Sequence, residues 1–264
     1  MKLSKEQIRR YQRQVVIKDI GSDGQKKLLS SSVLVIGAGG LGCPSSVYLA
    51  AAGVGTIGIV DGDKVELSNL QRQILHRTED IGRPKADSAR EALLALNPEI
   101  KVNVCEEDAT EENILSLIEG YDFVIDATDS FTSKFLISDA CVIAGKPFSY
   151  GGIFRYFGQT MTYLPGKGPC CRCVFREPPT GDEAPTCREG GVIGAVTGII
   201  GSIQAMEALK YLLGIGELLT GQMLTVDTLT MNVCKFHLPK RNADCAACGD
   251  HPSITFPQPG RGLL

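Results

Sequence analysis

The sequence predicts an α/β fold in which a mostly parallel β-sheet carries helices on both faces and is extended by antiparallel strands towards the C-terminus. Three observations favour this fold. Strand-like apolar segments alternate with segments of helical length as far as about residue 145. A glycine-rich turn follows the first strand-like segment. Beyond Pro147 two strand-like segments follow each other with no helix between them.

The first half of the chain supplies the regular alternation. Ser4 and Gln7 form a capping box for a first helix that runs to about Val16. Runs of aliphatic residues predict buried strands, and the segments between them, one of which begins after Pro84, predict helices. In order, these elements are a strand at 33–36, a helix at 43–54, a strand at 56–61, a helix at 84–97, a strand at 101–105, a helix from about 111, a strand at 122–129 and a helix from 131 to about 144.

The second half of the chain has a different pattern. Residues 148–152 and 158–164 predict two adjacent strands. Residues 165–191 hold five prolines, five glycines and four cysteines, and they predict a loop of a length that is usually functional or disordered. A long helix at about 192–213 follows, and the last two strands are predicted at 222–228 and 232–238.

Composition limits the class of function. The 264 residues suit one large domain, with two small domains as the alternative, and an apolar fraction of 43% is sufficient for a core. The net charge of −3 predicts no nucleic-acid partner. The first ten residues lack the apolar region of a signal peptide, and the uncharged segment 190–206 suits a buried helix better than a membrane span. We therefore expect a cytoplasmic protein with no membrane partner.

A Rossmann-like nucleotide site is predicted at the first strand-to-helix turn. Gly37, Gly39 and Gly42 form the pattern G-x-G-x-x-G there. Glycines allow the backbone to approach phosphates, and the following helix presents free N–H groups and the positive end of its dipole. Asp61 lies 19 residues beyond Gly42, at the end of the next strand, where an acidic residue binds ribose hydroxyls.

The basic segment 68–85, SNLQRQILHRTEDIGRPK, distinguishes two kinds of nucleotide site. An NAD-dependent oxidoreductase is the simplest alternative, but the two phosphates of a dinucleotide already have a helix N-terminus. Arg72 and Lys85 suit a triphosphate, whose charge must be neutralised while it reacts. Asp129 ends the fourth strand, where a Mg²⁺ ligand would lie. We interpret Arg77 and Arg83 as parts of a solvated basic loop.

The ten cysteines point to metal or thiol chemistry, because the chain has no export signal. Four of them lie singly in apolar segments and are expected to be buried thiols, namely Cys43, Cys105, Cys141 and Cys234. Four others form a C-x-x-C…C-x-x-C set that suits a closed, structural Zn²⁺ site, namely Cys170, Cys173, Cys245 and Cys248. Cys171 allows another register within CCRC, and buried or oxidised cysteines are the alternative to a metal site.

Cys187 belongs to neither set. It precedes Arg188 in the proline-rich loop, and the helix predicted from near Val192 follows. A neighbouring cation and a helix N-terminus both favour a thiolate. Two interpretations remain open for this residue, a catalytic thiol and an inert loop thiol.

Several motifs together resemble one family. GAGGLG, VDGD, SNLQRQ, GRPK and ATDS occur here in the order and spacing of the ThiF/MoeB/HesA adenylyltransferases, the bacterial relatives of ubiquitin-activating enzymes. The resemblance runs from RYQRQ at 10–14 to CAAC at 245–248. The resemblance supports the Zn²⁺ assignment. It also aligns Cys187 with a cysteine that, in some family members, forms an acyl-disulfide with the small carrier protein on which the enzyme acts. In other members this cysteine is dispensable.

The resemblance also implies site residues. Asp61 would bind the ribose, Gly40 would approach the phosphates, and Asp129 would bear on Mg²⁺. Arg13 would reach the phosphates from the opposite subunit of a homodimer. The implied ATP-binding residues are Gly37, Gly39, Gly40, Gly42, Asp61, Asp63, Ser68, Asn69, Leu70, Gln71, Arg72, Lys85, Asp129 and Ser130. The implied catalytic residues are Arg13, Arg72, Lys85, Asp129 and Cys187.

The implied reaction adenylates the C-terminal glycine carboxylate of a small ubiquitin-like sulfur carrier of MoaD or ThiS type that ends in Gly-Gly. A cysteine desulfurase or a rhodanese-type protein would donate the sulfur, for molybdopterin or thiamine synthesis. The alternatives are an ATP-dependent tRNA-modifying dehydratase of the same superfamily and a non-catalytic binding scaffold.

By the same resemblance, residues 1–264 would form one adenylation domain. Its nucleotide-binding part would span about 30–150. A crossover loop with the zinc and carrier-binding part would span about 151–250. Residues 251–264 would form a tail that is either mobile or an added edge segment.

Overall fold

A computed structural model of the protein describes residues 2–175 and 190–259. Within these residues eight strands form one sheet. The strands are β1 (Ser32–Ile36), β2 (Thr56–Val60), β3 (Lys101–Cys105), β4 (Phe123–Asp126), β5 (Phe148–Phe154), β6 (Phe157–Tyr163), β7 (Gln222–Asp227) and β8 (Asn232–His237). Their order across the sheet is β3-β2-β1-β4-β5-β6-β7-β8.

The sheet has a parallel part and an antiparallel part. Parallel pairing joins β3, β2, β1, β4 and β5, whereas antiparallel pairing joins β5, β6, β7 and β8. In this register Ile36 lies opposite both Val60 and Asp126, so β1, β2 and β4 end at the same edge. The connection from β1 leads to β2 on one side, whereas the connection from the neighbouring β4 leads to β5 on the other side. Such a switch point opens a crevice at the carboxyl edge.

Helices cover both faces of the sheet, and the predicted fold class is confirmed. The helices are α1 (Lys5–Arg10), α2 (Gln12–Val15), α3 (Gly21–Leu29), α4 (Gly42–Ala52), α5 (Lys85–Leu96), α6 (Ile114–Glu119), α7 (Phe131–Ile143), α8 (Cys171–Phe175) and α9 (Gly194–Leu213). Alternate residues of β1 separate the two cores. Val33 and Val35 pack with α4, α5 and α9, whereas Leu34 and Ile36 pack with α6 and α7. No helix in the described ranges is long and apolar enough to cross a membrane.

The predicted first helix is interrupted at Tyr11. Its capping box is present, but α1 ends at Arg10 and α2 begins at Gln12. Tyr11 is 2% exposed, its hydroxyl accepts a hydrogen bond from Asn97 Nδ2 at 2.9 Å, and its ring covers Gly53. The burial of this side chain against the end of α4 therefore takes precedence over a continuous helix.

Other boundaries differ from the predicted ones for local reasons. No element was predicted where α3 forms, between residues 21 and 29. The helix predicted from about 111 begins at Ile114, because Asn113 Oδ1 accepts the N–H of Thr110 at 2.8 Å and Asn113 Nδ2 donates to Asp108 O. The predicted loop at 165–191 contains α8. Its residues 176–189, which include Cys187, lie outside the described ranges.

A buried ion pair joins the sheet to α7. Asp126 at the end of β4 is 0% exposed, and Lys134 is 5% exposed. Lys134 Nζ lies 3.3 Å from Asp126 Oδ2, donates to Thr128 O at 2.8 Å and lies 4.8 Å from the centre of the Tyr150 ring. Asp126 also accepts from the hydroxyl of Thr128 at 2.7 Å, so the pair fixes the loop that follows β4.

We expect Lys134→Met to reduce the free energy of unfolding by roughly 3–5 kcal/mol, because it leaves the buried Asp126 carboxylate without its cation. Urea denaturation would measure this loss. Lys101→Met, at an exposed position of β3, serves as the control and should change stability by less than about 0.5 kcal/mol. Adding Asp126→Asn to Lys134→Met should restore part of the loss. A double variant that is as unstable as the sum of the two single variants would contradict the pairing.

Candidate nucleotide site and cysteine cluster

The glycine turn between β1 and α4 is too tight for side chains at Gly37 and Gly42. A Cβ on Gly42 would lie 1.8 Å from the carbonyl oxygen of Gly37. Gly37 has a φ of 98°, and a Cβ there would lie 2.8 Å from Ala127 O. The turn is therefore pressed against the end of β4, and α4 begins at Gly42 with its N-terminus at the carboxyl edge of the sheet.

Asp61 fixes this turn from the neighbouring strand. Its Oδ2 accepts the N–H of Ala38 at 2.7 Å, and its Oδ1 accepts the N–H of Asp63 at 2.9 Å. Burial raises the pKa of the Asp61 carboxyl, and the ammonium group of Lys85 opposes that rise. The acid at the end of β2 is thus held by the backbone and partly neutralised by one cation.

Lys85 is the first residue of α5 and lies mostly inside the protein. Its side chain is 7% exposed, and its Nζ lies 2.6 Å from Asp63 Oδ2 and 3.9 Å from Asp61 Oδ1. The backbone N–H of Lys85 also donates to Asp63 O at 2.9 Å. Lys85 and Asp63 are therefore paired with each other before any ligand arrives.

Arg72 lies in the turn formed by SNLQR. Its Nη1 donates to Ser68 O at 3.2 Å, and its backbone N–H donates to Asn69 O at 3.0 Å. A Cβ on Gly194 would lie 2.4 Å from Gln71 O, so the start of α9 packs directly on this turn. These contacts hold the guanidinium beside the glycine turn.

One cleft with two adjoining lobes brings most of the predicted residues together. The lobes have volumes of about 410 Å³ and 480 Å³, and both are lined by Asp63, Arg72, Gln73, Lys85, Asp129 and Val192. The predicted residues that line only the first lobe are Gly37, Gly39, Gly40 and Asp61, and those that line only the second are Ser68, Asn69 and Gln71. Gly42, Leu70 and Ser130 do not line either lobe, and Ser130 instead caps α7 by accepting the N–H of Ser133 at 3.1 Å.

The side chains that line the cleft carry more negative than positive charges. Within the described residues the two lobes carry five carboxylates, those of Asp61, Asp63, Glu66, Asp108 and Asp129, against three cations, those of Lys64, Arg72 and Lys85. The sequence analysis did not identify Asp108, which follows β3 at the carboxyl edge. An anionic ligand in this cleft requires additional positive charge.

Arg13 lies away from the cleft of its own chain. It is exposed on α2, where the next residue, Gln14, donates through Nε2 to Ala52 O at 3.1 Å. Ala52 ends α4, whose other end is at the glycine turn. At 1.5 Å per residue, these 11 residues correspond to about 16 Å.

His76 is a site residue that the sequence analysis missed. It is 5% exposed, with Nε2 2.9 Å from Ala38 O and Nδ1 2.9 Å from Ser88 Oγ. Burial lowers the pKa of His76, so the neutral ring is favoured. Ala38 is therefore held through both its N–H and its carbonyl group. Spacing alone gives no signal for such a contact across 38 residues of sequence.

The two C-x-x-C pairs come together as predicted. The Sγ atoms of Cys170, Cys173, Cys245 and Cys248 all lie within 4.8 Å of one another. Cys170 and Cys245 are 3.7 Å apart, and Cys173 and Cys248 are 3.4 Å apart. Sulfur atoms of a tetrahedral Zn–S₄ site are about 3.8 Å apart for bonds of about 2.3 Å. Four thiolates at these separations fit a metal ion, and Cys171 lies outside the set.

The segment after this cluster is anchored to it. Arg172 lies between Cys171 and Cys173, and it donates from Nε and Nη2 to the buried Asp139 at 2.8 Å and 2.7 Å. The backbone N–H of Gln258 donates to the same carboxylate at 3.3 Å, and Ile254 is buried. As far as residue 259, the predicted tail packs on α7 and α8 rather than pairing as a strand.

The predictions for three residues, Cys105, Cys234 and Arg83, need correction. Cys43 and Cys141 are buried as expected, but Cys105 and Cys234 are only half-buried, because β3 and β8 form the two edges of the sheet. Arg77 is exposed as expected. Arg83 is not a solvated loop residue, since its guanidinium lies 2.7 Å from Asp80, 3.1 Å from Asp87 and 2.8 Å from Glu91. This network ties the loop to α5.

Comparisons with known sequences agree on one family. Residues 11–247 match the ThiF family. A Culex quinquefasciatus protein named adenylyltransferase and sulfurtransferase MOCS3 is 47% identical over 254 residues, which are 96% of this chain and 58% of that protein. A Thermus thermophilus protein named sulfur carrier protein adenylyltransferase is 45% identical over 258 residues, which are 96% of this chain and 95% of that protein. The chain thus spans less than two thirds of the MOCS3 protein.

Solved structures share the fold. Escherichia coli MccB, crystallised with MccA-N7isoASN, superposes with a TM-score of 0.80 at 24% identity, over 94% of this chain and 75% of MccB. PaaA superposes with a TM-score of 0.76 at 26% identity, over 89% of this chain and 75% of PaaA. The architecture of the sheet and its helices is therefore common to these proteins.

Proposed function

Since the chain belongs to the ThiF family, we propose that it is an adenylyltransferase that uses ATP to activate a ubiquitin-like sulfur carrier. The carrier, of MoaD or ThiS type, would end in Gly-Gly and serve molybdopterin or thiamine synthesis. The names of the Thermus thermophilus and MOCS3 relatives support the coarser part of this proposal. A cysteine desulfurase or a rhodanese-type protein would supply the sulfur.

One observation carries the proposal: a glycine turn that suits phosphates, a ribose-binding acid and two buried or half-buried cations line the same cleft. Asp61 would bind the ribose, and the N–H groups around Gly39 and Gly40 would face the phosphates. Arg72 and Lys85 would neutralise the triphosphate. A second lobe of about 480 Å³ beyond Arg72 leaves room for the extended end of a carrier.

The proposed chemistry needs charge neutralisation and not a general base. A C-terminal carboxylate is already ionised at neutral pH. One of its oxygens attacks the α-phosphorus, the bond from that phosphorus to the bridging oxygen breaks, and pyrophosphate leaves with the electron pair. Two anions must therefore approach each other. Positioning in the cleft and stabilisation of the transferred charge account for the catalysis.

The excess of carboxylates in the cleft supports a requirement for Mg²⁺. Asp129 is exposed, lines both lobes and would be its protein ligand. Bound Mg²⁺ would neutralise phosphate charge beside that carboxylate. Without such a cation the acids that line the cleft would repel a triphosphate.

Arg13 would complete the site from the second subunit of a homodimer. Its side chain is exposed, and no hydrogen bond or ion pair engages it within the described residues. Val16 and Ile17, on the same N-terminal segment, are 70% and 48% exposed. Exposed apolar side chains beside an unengaged arginine fit a surface that is covered by another subunit.

The cysteine cluster would hold one structural Zn²⁺. Four thiolates close a tetrahedral site and leave no position for a water molecule. The cluster joins α8 to the segment that follows β8, so the metal would stabilise this part of the fold. Cys187, which lies outside the described residues, would act in a step after adenylation.

Exchange between ATP and labelled pyrophosphate tests the central proposal. Wild-type protein with Mg²⁺ and a Gly-Gly carrier should catalyse exchange, and Arg72→Ala or Lys85→Ala should reduce its rate by roughly 10²–10³-fold, mainly in turnover. Arg77→Ala changes an exposed cation of the same segment that lines neither lobe, and exchange should remain within a few-fold of wild type. Exchange by both Arg72→Ala and Lys85→Ala at the rate of Arg77→Ala would contradict the triphosphate assignment.

Mixed dimers test the role of Arg13. Arg13→Ala and Arg72→Ala should each be inactive, whereas co-refolded mixtures should recover up to about one quarter of wild-type exchange, because half of the dimers carry one intact site of two. Arg9→Ala, an exposed arginine of α1, should be active alone. Heterodimers that are verified by native mass spectrometry and show no recovery would argue against a role across the interface.

Metal analysis of freshly purified, reduced protein tests the cysteine cluster. One Zn²⁺ per chain should be present, and Cys173→Ser should lose it together with thermal stability. Cys171→Ala should keep the metal, since this thiol lies outside the cluster. Wild-type protein without Zn²⁺, or loss of the metal only in Cys171→Ala, would refute the ligand set.

A further inference from the structure

Gln73 is a buried amide at the junction of the two lobes of the cleft. The residue is 4% exposed and lines both lobes. It directly follows Arg72 as the last residue of SNLQRQ, and it is not among the site residues that the resemblance implies. Its side chain therefore faces the proposed ligand site without belonging to the predicted set.

The amide of Gln73 has no partner among the described residues. Its Oε1 is enclosed by protein and accepts no hydrogen bond, and its Nε2 donates none within the described ranges. The other two buried glutamines of these ranges differ from it in their Nε2 donors. Gln25 donates through Nε2 to Ala52 O and accepts through Oε1 from Gln14. Gln204 Oε1 lacks a partner as well, but its Nε2 donates to both Asp126 O and Ser149 O. Those two amides connect elements of the fold, whereas that of Gln73 does not.

The backbone holds the Gln73 amide over the glycine turn. The N–H of Gln73 donates to Asn69 O at 3.0 Å, and its carbonyl oxygen accepts from the N–H of His76 at 3.1 Å. Gln73 Nε2 lies 3.6 Å from the point that a Cβ on Gly39 would occupy. An anion that is seated on the N–H groups of this turn would therefore come within reach of the amide.

We propose that Gln73 is a phosphate-binding residue, whose amide N–H donates to a phosphoryl oxygen of a nucleotide on the glycine turn. This inference rests on the proposed use of ATP. The Nε2 donor of Gln73 has no acceptor among the described residues, and a phosphoryl oxygen on the glycine turn would supply one. As a neutral donor, the amide serves equally well when the triphosphate has become a monoanionic acyl-adenylate. Arg72 and Lys85 match the greater charge of the triphosphate.

The experiment compares Gln73→Met with Gln204→Met in the full-length protein. Calorimetry measures the dissociation constant for ATP with Mg²⁺, and thermal denaturation measures the Tm without nucleotide. Gln73→Met should weaken binding by roughly 10-fold or more, since it removes a hydrogen bond to a charged group. Its Tm without nucleotide should stay the same or rise, because an unpaired polar group is lost. Gln204→Met should lower the Tm, because it removes hydrogen bonds that connect elements of the fold. It should leave the dissociation constant within about two-fold of wild type, because these contacts are purely structural.

A second variant, Gln73→Glu, keeps the shape of the side chain but presents a carboxylate to the phosphates, and it should bind more weakly than Gln73→Met. Gln73→Met that binds as tightly as wild type, or that lowers the Tm as much as Gln204→Met, would overturn the inference. Because the experiment measures ATP binding, its result does not depend on whether the protein catalyses adenylation. Wild type that binds ATP but does not exchange pyrophosphate would refute the proposed function alone, and wild type that does not bind ATP would refute both.

Discussion

The cleft depends on a tight backbone turn between the end of β1 and the start of α4, which has no room for a Cβ at Gly37 or Gly42. The absence of side chains at Gly37 and Gly42 brings the turn against β4. The turn is then held at Ala38, whose N–H donates to Asp61 and whose carbonyl oxygen contacts His76. Because Asp61 directly follows β2 and His76 lies in the segment that carries Arg72, these two contacts of Ala38 set the position of the acid relative to the cations.

In the free protein, the cations of Lys85 and Arg72 are engaged in contacts within the protein. Lys85 contacts Asp63, and Arg72 contacts a carbonyl group of its own turn. A polyanion can therefore recruit these groups only by exchanging partners, and the displaced carboxylates must find another cation. Under the proposed function, this exchange would favour ligands that bring a metal ion with them, since a bare anion would release Asp63 without compensation.

The alternation of apolar segments was sufficient to predict the sheet, because strand and helix periods are local properties of the sequence. The glycine pattern and the acid after β2 could likewise be predicted from the local sequence. Contacts between distant segments were not. The break at Tyr11, the pair of Asp126 with Lys134 and the contact of His76 with Ala38 each join residues that no short-range pattern relates. The unpaired amide of Gln73 is recognisable only once its surroundings are known, because it is defined by missing partners.

The cysteine cluster has a topological consequence. The two C-x-x-C pairs are separated by 71 residues, and these include α9, β7 and β8. A metal held by all four thiolates would make this stretch a closed ring anchored at one point, with a correspondingly smaller entropy in the unfolded chain. A single cut of the backbone inside that ring would leave both fragments attached to the same ion. The protein would then keep its mass under native conditions and separate into two pieces only when the thiolates are protonated or the metal is withdrawn.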